Sequence, residues 1–536
     1  MADLRPANEN PWYVLMTYYG EQDGDEVDWE LHKANAEFWN ELNFESRRLP
    51  NLEERVREET PLALAETLGG NSKITDRSGK RKLNVGQRAE RLAIFKGYLD
   101  RGESLTGTVD LNEVHFEHNL VTDGYFFLGN ANLFLSRFEK NVSMRKLRLQ
   151  GKLSFSGTII KGQLDLERAN IGTGFHASDI TLHANLNIKR GDFSGGFDLE
   201  HSLIGGKIVA QNADISGPAT FNCIHVASKA DFAGANFDDD AIFKSAKFGG
   251  RAEFSQCDFS KKADFQLAEI KGPFSCSGST FHGTAVFAGA GFGSSVDFTT
   301  AIFSKSVTFV NAFFKGPSKK NQSSIRFDET IFEAPVSFAQ TRFCNEFPRF
   351  SNTVLPDSVL FSAEDEFWPN RFPRDQSEAK VWKNSASVAR HTVSKQGFPE
   401  DEHFFFRREM ECARQIGGWW DKFPYEVFRW VSDYGCSVAR PVICLFVLWF
   451  IGALIFTAEF SQLYHLPGKV PSWHEPFSLS FANIFKIFGF QRLYFGSEYM
   501  DALRVGLKFL SSVQTILGFF FLFFLGLGLR QRFRLR

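Results

Sequence analysis

The stretch ADFAGANFDDDAIFKSAKFGGRAEFSQCDFSKKADF, residues 230–265, has phenylalanines separated alternately by five and six residues. Counting outward from it, an apolar residue recurs at every eleventh position from Leu105 to Phe314. A second apolar series, offset by six, runs from Leu111 to Phe309, and Thr122 is its one interruption. The repeat therefore covers about 200 residues and accounts for the main anomaly in composition, 61 phenylalanines among 536 residues.

Steps of five and six exclude two simpler structures. A helical coiled coil with an eleven-residue period has its apolar residues three and four apart along one stripe. A continuous strand would send successive phenylalanines to opposite faces, because five is an odd number of residues. The chain must therefore turn a corner between successive phenylalanines, and this describes a β-solenoid of short strands.

The residue two positions before most of these phenylalanines is small or β-branched, as at Ala230 and Ala252. Each face is thus predicted to send one large and one small side chain inward, and four faces would give a turn of 22 residues. The predicted interior is a ladder of Phe232, Phe237, Phe243, Phe248, Phe254, Phe259, Phe265, Phe281, Phe287, Phe292, Phe298 and Phe303. The polar residues between them are predicted to face water: Asp231, Asn236, Lys247, Glu253, Asp258 and Asp264.

Units such as Ala230-Asp231-Phe232 and Ala263-Asp264-Phe265 resemble the pentapeptide repeat, A-(D/N)-(L/F)-x-x. That family forms a right-handed, four-sided β-helix, so the resemblance implies a mainly β fold of this kind. The alternation of five and six departs from the family motif, and so does the N-terminal part of the array, where Leu and Ile replace Phe.

The rest of the chain is predicted to cap and anchor the array. We expect a mixed, mainly helical region at 1–103, the solenoid at 104–345, a cap and helical linker at 346–439, and a membrane hairpin at 440–536. The phase of the repeat slips by two residues across KGPSKKNQSS and resumes at Phe327. An open solenoid end exposes unpaired strand edges, and the Pro- and aromatic-rich segment FSAEDEFWPNRFPRD that follows is predicted to cover it.

Two apolar segments, at about 441–459 and 509–529, predict membrane-spanning helices. Arginines flank both segments on the side that the positive-inside rule assigns to the cytoplasm: Arg440, Arg530, Arg532, Arg534 and Arg536. The N-terminus lacks a signal-peptide pattern, and the seven cysteines show no pairing or ligand motif. We therefore expect a multi-pass protein of the bacterial inner membrane with a cytoplasmic N-terminal bulk, a cytoplasmic C-terminus and reduced thiols.

Residues 476–490, between the two spans, are apolar but too short to cross a bilayer and predict a re-entrant segment. This arrangement resembles the pore module of two-helix ion channels, although no TVGYG-like filter follows the dip. The repeat array, the turn SDYGCSVARP ahead of the first span and the terminal LGLGLRQRFRLR together resemble membrane-anchored bacterial pentapeptide-repeat proteins with such a hairpin. Asn483, Lys486 and Gln514 are the candidate polar groups of a pore or of an interface.

The sequence contains no P-loop, no nucleophile elbow and no metal-ligand cluster, so we predict neither catalysis nor a cofactor or metal. The leading hypothesis is a non-enzymatic membrane-anchored scaffold whose solenoid wall binds a protein. One alternative is an oligomeric pore gated or assembled by the solenoid. The other is a topoisomerase-binding DNA mimic, as the resemblance to soluble pentapeptide-repeat proteins implies. Expected partners are the lipid bilayer, an unidentified protein and further copies of the chain; the net charge of −2 gives no reason to expect nucleic acid.

Overall fold

The computed structural model describes residues 4–24, 26–44, 48–68, 83–102, 108–316, 325–460, 473–495, 499, 501 and 503–533. The chain forms two compact units, Met1–Arg371 and Phe372–Arg536. The first unit contains the solenoid and the second is helical.

Four parallel sheets form the walls of the solenoid. Sheet 1 consists of Arg5–Pro6, Val114–Phe116, Arg137–Phe138, Ile159–Ile160, Thr181–Leu182, Leu203–Ile204, His225–Val226, Lys247–Phe248, Glu269–Ile270, Gly291–Phe292, Phe313–Phe314 and Arg342–Phe343. Sheet 2 consists of Thr108–Asp110, Asn130–Asn132, Lys152–Ser154, Gly174–His176, Gly196–Asp198, Ala219–Thr220, Ala241–Ile242, Ala263–Asp264, Ala285–Val286, Val307–Thr308, Val336–Phe338 and Leu360–Phe361.

The other two walls have ten strands each. Sheet 3 consists of Leu120–Val121, Val142–Ser143, Leu164–Asp165, Leu186–Asn187, Ile208–Val209, Ala230–Asp231, Ala252–Glu253, Phe274–Ser275, Val296–Asp297 and Ile325–Arg326. Sheet 4 consists of Phe126–Phe127, Arg148–Leu149, Asn170–Ile171, Asp192–Phe193, Asp214–Ile215, Asn236–Phe237, Asp258–Phe259, Thr280–Phe281, Ile302–Phe303 and Ile331–Phe332. A β-solenoid with four parallel sheets is therefore confirmed.

The strand register confirms the 22-residue turn and corrects the phase slip. Ala230 pairs with Ala252, 22 residues later, and this spacing holds from turn to turn. Across the interruption Val296 pairs with Ile325, 29 residues later, so seven residues are inserted rather than two. Phe327 therefore stacks on Phe298, at 5.1 Å between ring centroids. The prediction was wrong because it assigned Phe327 to the apolar series of Phe314, where it lies two positions beyond the expected residue. Phe327 belongs to the series of Phe309, where it lies seven positions beyond the expected residue.

The corners of the solenoid depend on a backbone feature that recurs every eleven residues. From Glu113 to Asn311 every eleventh residue has a positive φ, between 53° and 71°. At most of these corners a hydrogen bond closes a four-residue turn, as where the Ala235 N–H donates to the Phe232 carbonyl at 2.9 Å. A positive φ at the third residue is the type II arrangement, which favours glycine. Most of these corners nevertheless carry larger residues, for example Leu267 and Thr300.

Two of the polar residues predicted to face water are buried instead. Asp231 and Asp264 are each 6% exposed. Their carboxylates accept the backbone N–H groups of Ala233 (3.3 Å) and Gln266 (2.9 Å), two residues further on. Each also pairs with a lysine two residues before it, at 2.7 Å and 2.8 Å. Burial raises the pKa of the Asp231 carboxyl group. Hydrogen bonds from Lys229 and Gln211 lower it by more, so the pKa lies below its usual value. The prediction was wrong because the aspartate side chain is short enough to accept a hydrogen bond from a backbone N–H group of its own turn.

The interior is a set of stacked phenylalanine ladders. Along sheet 2, seven rings from Phe221 to Phe361 stack almost parallel, at 4.5–5.3 Å between centroids. This spacing follows from the distance between parallel strands. The twelve phenylalanines predicted for the interior are all at most 1% exposed.

On one turn of sheet 3 the large and the small inward-facing residues have exchanged positions. Cys276 occupies the position of a large residue, and Phe274 occupies the position that is usually small. The Phe274 ring lies 5.9 Å from Phe254 below and 5.7 Å from Phe298 above. It therefore fills the space that the cysteine leaves, and the volume of the turn is retained.

This exchange predicts a coupled pair of substitutions. Cys276→Phe alone should destabilise the solenoid by about 1–3 kcal/mol through overpacking, and Phe274→Ala alone by about 3–5 kcal/mol through a cavity. The double variant restores the usual order of small and large, so its loss should be smaller than the sum by at least about 2 kcal/mol. Denaturant unfolding of the full chain in detergent, followed by its β-sheet circular dichroism, measures this coupling.

The matched control combines Cys276→Phe with Phe237→Ala, a ring that lies in a different ladder below Phe259. These two losses should add. Additive losses for Phe274 and Cys276 as well would show that the two side chains do not share one space.

Both ends of the solenoid are covered within the first unit. The N-terminal helices are α1 (Pro11–Met16), α2 (Trp29–Phe44), α3 (Arg48–Glu58), α4 (Pro61–Leu68) and α5 (Val85–Leu99), preceded by the 3-10 turn Ala7–Glu9. The strand Arg5–Pro6 pairs with Val114 and His115, and the Trp39 indole donates to the Phe126 carbonyl at 2.9 Å. At the other end Trp368 is buried and stacks on Phe347 at 4.6 Å.

The second unit is helical throughout its described residues. Its helices are α6 (Gln376–Gln396), α7 (Pro399–Ala413), α8 (Trp419–Ser432), α9 (Ala439–Phe460), α10 (Glu475–Ile484), α11 (Phe490–Tyr494) and α12 (Val505–Phe533), with the 3-10 turn Lys486–Phe488 before α11. A second 3-10 turn, Asp365–Phe367, precedes Trp368 in the first unit. Helices α6 and α7 pack as a pair, and the Arg390 guanidinium meets the buried Glu409 carboxylate at 2.9 Å.

Candidate functional site between the two apolar helices

Helices α9 and α12 are long and apolar enough to cross a membrane. The qualifying segments are Ala439–Ala458, with mean hydropathy 2.5, and Val505–Arg532, with mean hydropathy 2.0. Their most apolar windows are only 28% and 22% buried. A core helix of a water-soluble protein would be largely covered by its neighbours, so these two helices retain the exposed apolar faces that a bilayer would solvate.

Helix α10 lies between α9 and α12. Leu479, in the middle of α10, packs with Phe456 of α9, with Leu507 in the first turn of α12 and with Leu503 just before it. At the next residue the Ser480 hydroxyl donates to the Trp449 carbonyl in the middle of α9, at 2.7 Å. The segment therefore enters between the two long helices and advances along both of them.

Two glycines allow this close approach. A Cβ at Gly452 of α9 would overlap the Gln514 amide and lie 2.8 Å from the Ser480 hydroxyl. A Cβ at Gly518 of α12 would lie 2.8 Å from the Cα of Ile484. Gly518 is thirteen residues from the start of α12, about 20 Å along its axis at 1.5 Å per residue. After this point the chain turns at Lys486–Phe488 and runs back as α11, where Phe490 contacts Phe481 of α10. Helices α10 and α11 thus form a short helical hairpin beside the two long helices.

A buried polar network joins the hairpin to both long helices. The Asn483 side-chain amide donates to Gln514 Oε1 at 3.2 Å, and Asn483 Oδ1 accepts from Gln491 Nε2 at 3.0 Å and from Ser511 Oγ at 2.9 Å. Gln514 Nε2 donates to the Ser480 hydroxyl at 2.5 Å and to the Leu448 carbonyl at 3.2 Å. These five side chains are at most 8% exposed. Within an apolar environment such groups hold helices together, because separating them would leave them without partners.

The structure thus separates the three predicted polar groups. Asn483 and Gln514 meet inside a single chain, and both side chains are buried there. Lys486 lies on the turn of the hairpin, exposed, with the exposed side chains of Ile487 and Phe488 beside it. It faces a groove with Thr515, Ile516, Phe519 and Leu522 on the middle of α12.

The predicted arginine anchors lie at helix ends. Arg440 is in the first turn of α9, and Arg530 and Arg532 are exposed in the last turns of α12. Arg534 and Arg536 lie outside the described residues. All seven cysteines are unpaired, and burial raises the pKa of the Cys257 thiol to about 12. Among the described residues no three His, Cys, Asp or Glu side chains come together as a metal site.

Sequence reasoning missed Ser480, Gln491, Ser511 and both glycines of this site. A signal was present: Ser480 and Asn483 on α10, and Ser511 and Gln514 on α12, are spaced three apart within apolar segments. This spacing puts the members of each pair on one face of a helix. The glycines gave no such signal, because their role depends on which helix lies opposite them.

The close approach predicts an asymmetric response to alanine. Gly452→Ala should destabilise the hairpin by about 1–3 kcal/mol, because the new methyl group displaces the Gln514 amide from its network. Gly506→Ala on α12 is the matched control, since nothing lies within 4 Å of its Cβ position. It should be neutral or stabilising by up to about 1 kcal/mol. Thermal unfolding in detergent micelles measures both, and equal losses would contradict the insertion of α10 at Gly452.

We compared the chain with models of protein families, with curated proteins and with solved structures, and none of the three comparisons gave a match. The parallel solenoid with turns of 22 residues is consistent with the pentapeptide-repeat fold that the sequence resembles.

Proposed function

We propose that this chain is a non-enzymatic scaffold, anchored in the cytoplasmic membrane by its C-terminal hairpin and presenting the solenoid to a protein partner in the cytoplasm. The observation that carries the anchor is the exposure of apolar side chains along both long helices. Phe446 and Ile443 on α9 are 60% and 59% exposed, and Phe509 and Ile516 on α12 are 72% and 68% exposed. The arginines at one end of each helix favour a cytoplasmic location for both chain ends.

The wall formed by sheet 4 favours a partner of basic chemistry. Its outward residues on five successive turns form a ladder of acids and amides, which we call the acidic ladder: Asn170, Asp192, Asp214, Asn236 and Asp258. The amides donate hydrogen bonds to the neighbouring carboxylates, as where Asn170 Nδ2 donates to Asp192 Oδ2 at 2.7 Å. A rigid row of carboxylates at the spacing of β-strands complements lysine or arginine side chains on a partner.

Mimicry of DNA is less well supported. Acids on sheets 2 and 3 are paired with bases, for example Lys229–Asp231 at 2.7 Å, Arg251–Glu253 at 3.0 Å and Lys262–Asp264 at 2.8 Å. A surface that imitates two phosphate strands needs unpaired acids on more than one wall.

The scaffold proposal is tested with a photo-crosslinking amino acid in place of Asp214 of the full chain in cells. The protein should stay in the membrane pellet after an alkaline carbonate wash and carry a cross-linked protein of defined mass. Asp192→Lys in the same ladder should lower the cross-link yield at least fivefold, because it repels a basic partner. The control position is Lys247, an outward residue of sheet 1.

Release of the chain by carbonate would contradict the anchor. Retention without a cross-link at position 214, or equal yields at positions 214 and 247, would contradict the role of the acidic ladder while leaving the anchor intact.

One observation favours the pore as a second candidate function. Lys486 is exposed beside the middle of α12, and a lysine facing hydrocarbon at the bilayer centre costs about 2.5–3.5 kcal/mol. Among the described residues its ammonium group has no hydrogen-bond or ion-pair partner. A ring of such lysines around a water-filled path between several copies would remove this cost and would select anions.

The pore candidate predicts that Lys486→Glu in proteoliposomes reverses a preference for chloride over potassium flux. Lys508→Glu is the matched control, because that ammonium group lies near the outer end of α12 and donates to the Asp501 carbonyl at 2.9 Å. Equal effects of both substitutions, or a monomeric mass of the purified protein in detergent, would exclude the pore, since two helices cannot enclose one.

A further inference from the structure

The junction between α8 and α9 is held in a strained conformation. Asp433, Tyr434 and Gly435 all have left-handed backbone angles, with φ of 51°, 57° and 82°. Each non-glycine residue in this region costs about 1–2 kcal/mol. The Tyr434 ring is fully buried against Phe428, and the Gly435 N–H donates to the Ser432 hydroxyl at 3.1 Å. These contacts hold the strained backbone in place, so the direction of α8 relative to α9 is fixed.

The helix that this elbow positions has an exposed aromatic face. Trp419, Trp420, Phe423 and Trp430 of α8 are 66%, 78%, 50% and 76% exposed. Tryptophan is enriched where a membrane meets water, because its ring is apolar and its indole N–H is polar. Helix α8 ends a few residues before the apolar span of α9 begins. These features suit α8 to the interfacial layer of a bilayer.

A groove of about 400 Å³ opens at the elbow between α8 and α9. Arg429, Trp430, Arg440, Ile443 and Cys444 line it. It therefore has two guanidinium groups and an indole at one end and apolar side chains of the span at the other. Ile443 is 59% exposed, so the apolar end of the groove is open toward the hydrocarbon region of a bilayer around α9.

The two guanidinium groups differ in their contacts. Arg440 Nη1 donates to the Arg429 carbonyl at 2.9 Å and lies 3.6 Å from the Asp433 carboxylate. The Arg429 guanidinium makes no hydrogen bond or ion pair with any described residue. Arg440 is thus held by the elbow, and Arg429 has its donors available for a ligand.

The charge of the residues that neighbour Arg429 is also positive. Arg407, Arg408, Arg414 and Arg429 all act on the carboxyl group of Glu411, whose pKa burial raises and these arginines lower. Glu411 lies 3.7 Å from Arg408 and Glu426 lies 2.5 Å from Arg414, so two carboxylates face four guanidinium groups. The surroundings therefore favour an anion in the groove.

We propose that the groove of Arg429, Trp430, Arg440, Ile443 and Cys444 is a binding site for one anionic phospholipid. Its phosphate accepts hydrogen bonds from the guanidinium groups of Arg429 and Arg440, and its acyl chains follow the apolar wall at Ile443. Guanidinium groups match phosphate oxygens in charge and in geometry. The apolar wall and the position at the end of a span distinguish a lipid from a free anion. This inference rests on the proposed membrane anchor.

The site is tested with the full chain in detergent, with dioleoyl phosphatidylglycerol added as the probe and dioleoyl phosphatidylcholine as the neutral lipid. Native mass spectrometry counts the lipids that stay bound. We expect one phosphatidylglycerol bound at least tenfold more tightly than phosphatidylcholine. Arg429→Gln should weaken phosphatidylglycerol binding five- to tenfold; the fold should survive, because that side chain has no described partner to lose. Arg530→Gln, an equal change of charge at the end of α12, should change it less than twofold.

Three outcomes would overturn the proposal. The first is equal binding of the two lipids, and the second is an equal effect of Arg429→Gln and Arg530→Gln, which would show a diffuse charge effect. The third is competition by 10 mM glycerol phosphate as strong as that by the lipid, which would assign the site to a free phosphate. Each is distinguished from failure of the anchor by a carbonate wash of membranes from the same cells, in which an anchored chain stays in the pellet.

Discussion

Every turn of the solenoid must reverse the chain without breaking the hydrogen bonds between turns, and the backbone does this with one left-handed residue in each eleven. The turn that results brings strands of two or three residues into register 22 positions apart. Identical side chains then lie above one another at the spacing of β-strands, so phenylalanine stacks on phenylalanine. The ladders, the buried aspartates and the flat outer walls all depend on this repeated corner.

A repeated corner also sets two requirements that a globular core does not have. The volume of each turn must match that of its neighbours, and the exchange of Phe274 and Cys276 shows how one turn can satisfy this with the residues in the opposite order. The ends must be covered, because each exposes apolar interior and unpaired strand edges. The strand Arg5–Pro6 with the N-terminal helices covers one end, and Trp368 covers the other. The N-terminal region thereby forms a cap on the solenoid.

Different interactions position the helices of the second unit. Close packing at Gly452 and Gly518 admits a short helix between two long ones, and a network of amides and hydroxyls joins all three. The same network buries Asn483 and Gln514, whereas Lys486 stays exposed. At the other end of α9 a strained elbow fixes an aromatic helix beside a pair of arginines. Both devices are consistent with a chain whose surroundings change from water to lipid within one unit.

The sequence by itself determined a solenoid with an eleven-residue repeat, its phenylalanine interior and the two apolar helices, because each follows from a period or a length that can be counted along the chain. The four sides, and with them the turn of 22 residues, were implied by the resemblance to the pentapeptide repeat. Only the tertiary structure decided the seven-residue insertion after Phe314, the burial of Asp231 and Asp264, and the meeting of Asn483 with Gln514. It also decided the left-handed corners, where residues as different as Leu267, Gln256 and Thr300 adopt one backbone conformation. The insertion and the meeting of Asn483 with Gln514 depend on partners that lie 29 and 31 positions away, a distance that local sequence patterns do not encode. The buried aspartates and the left-handed corners use partners only two or three residues away, but those partners come within reach only when the chain turns the corner.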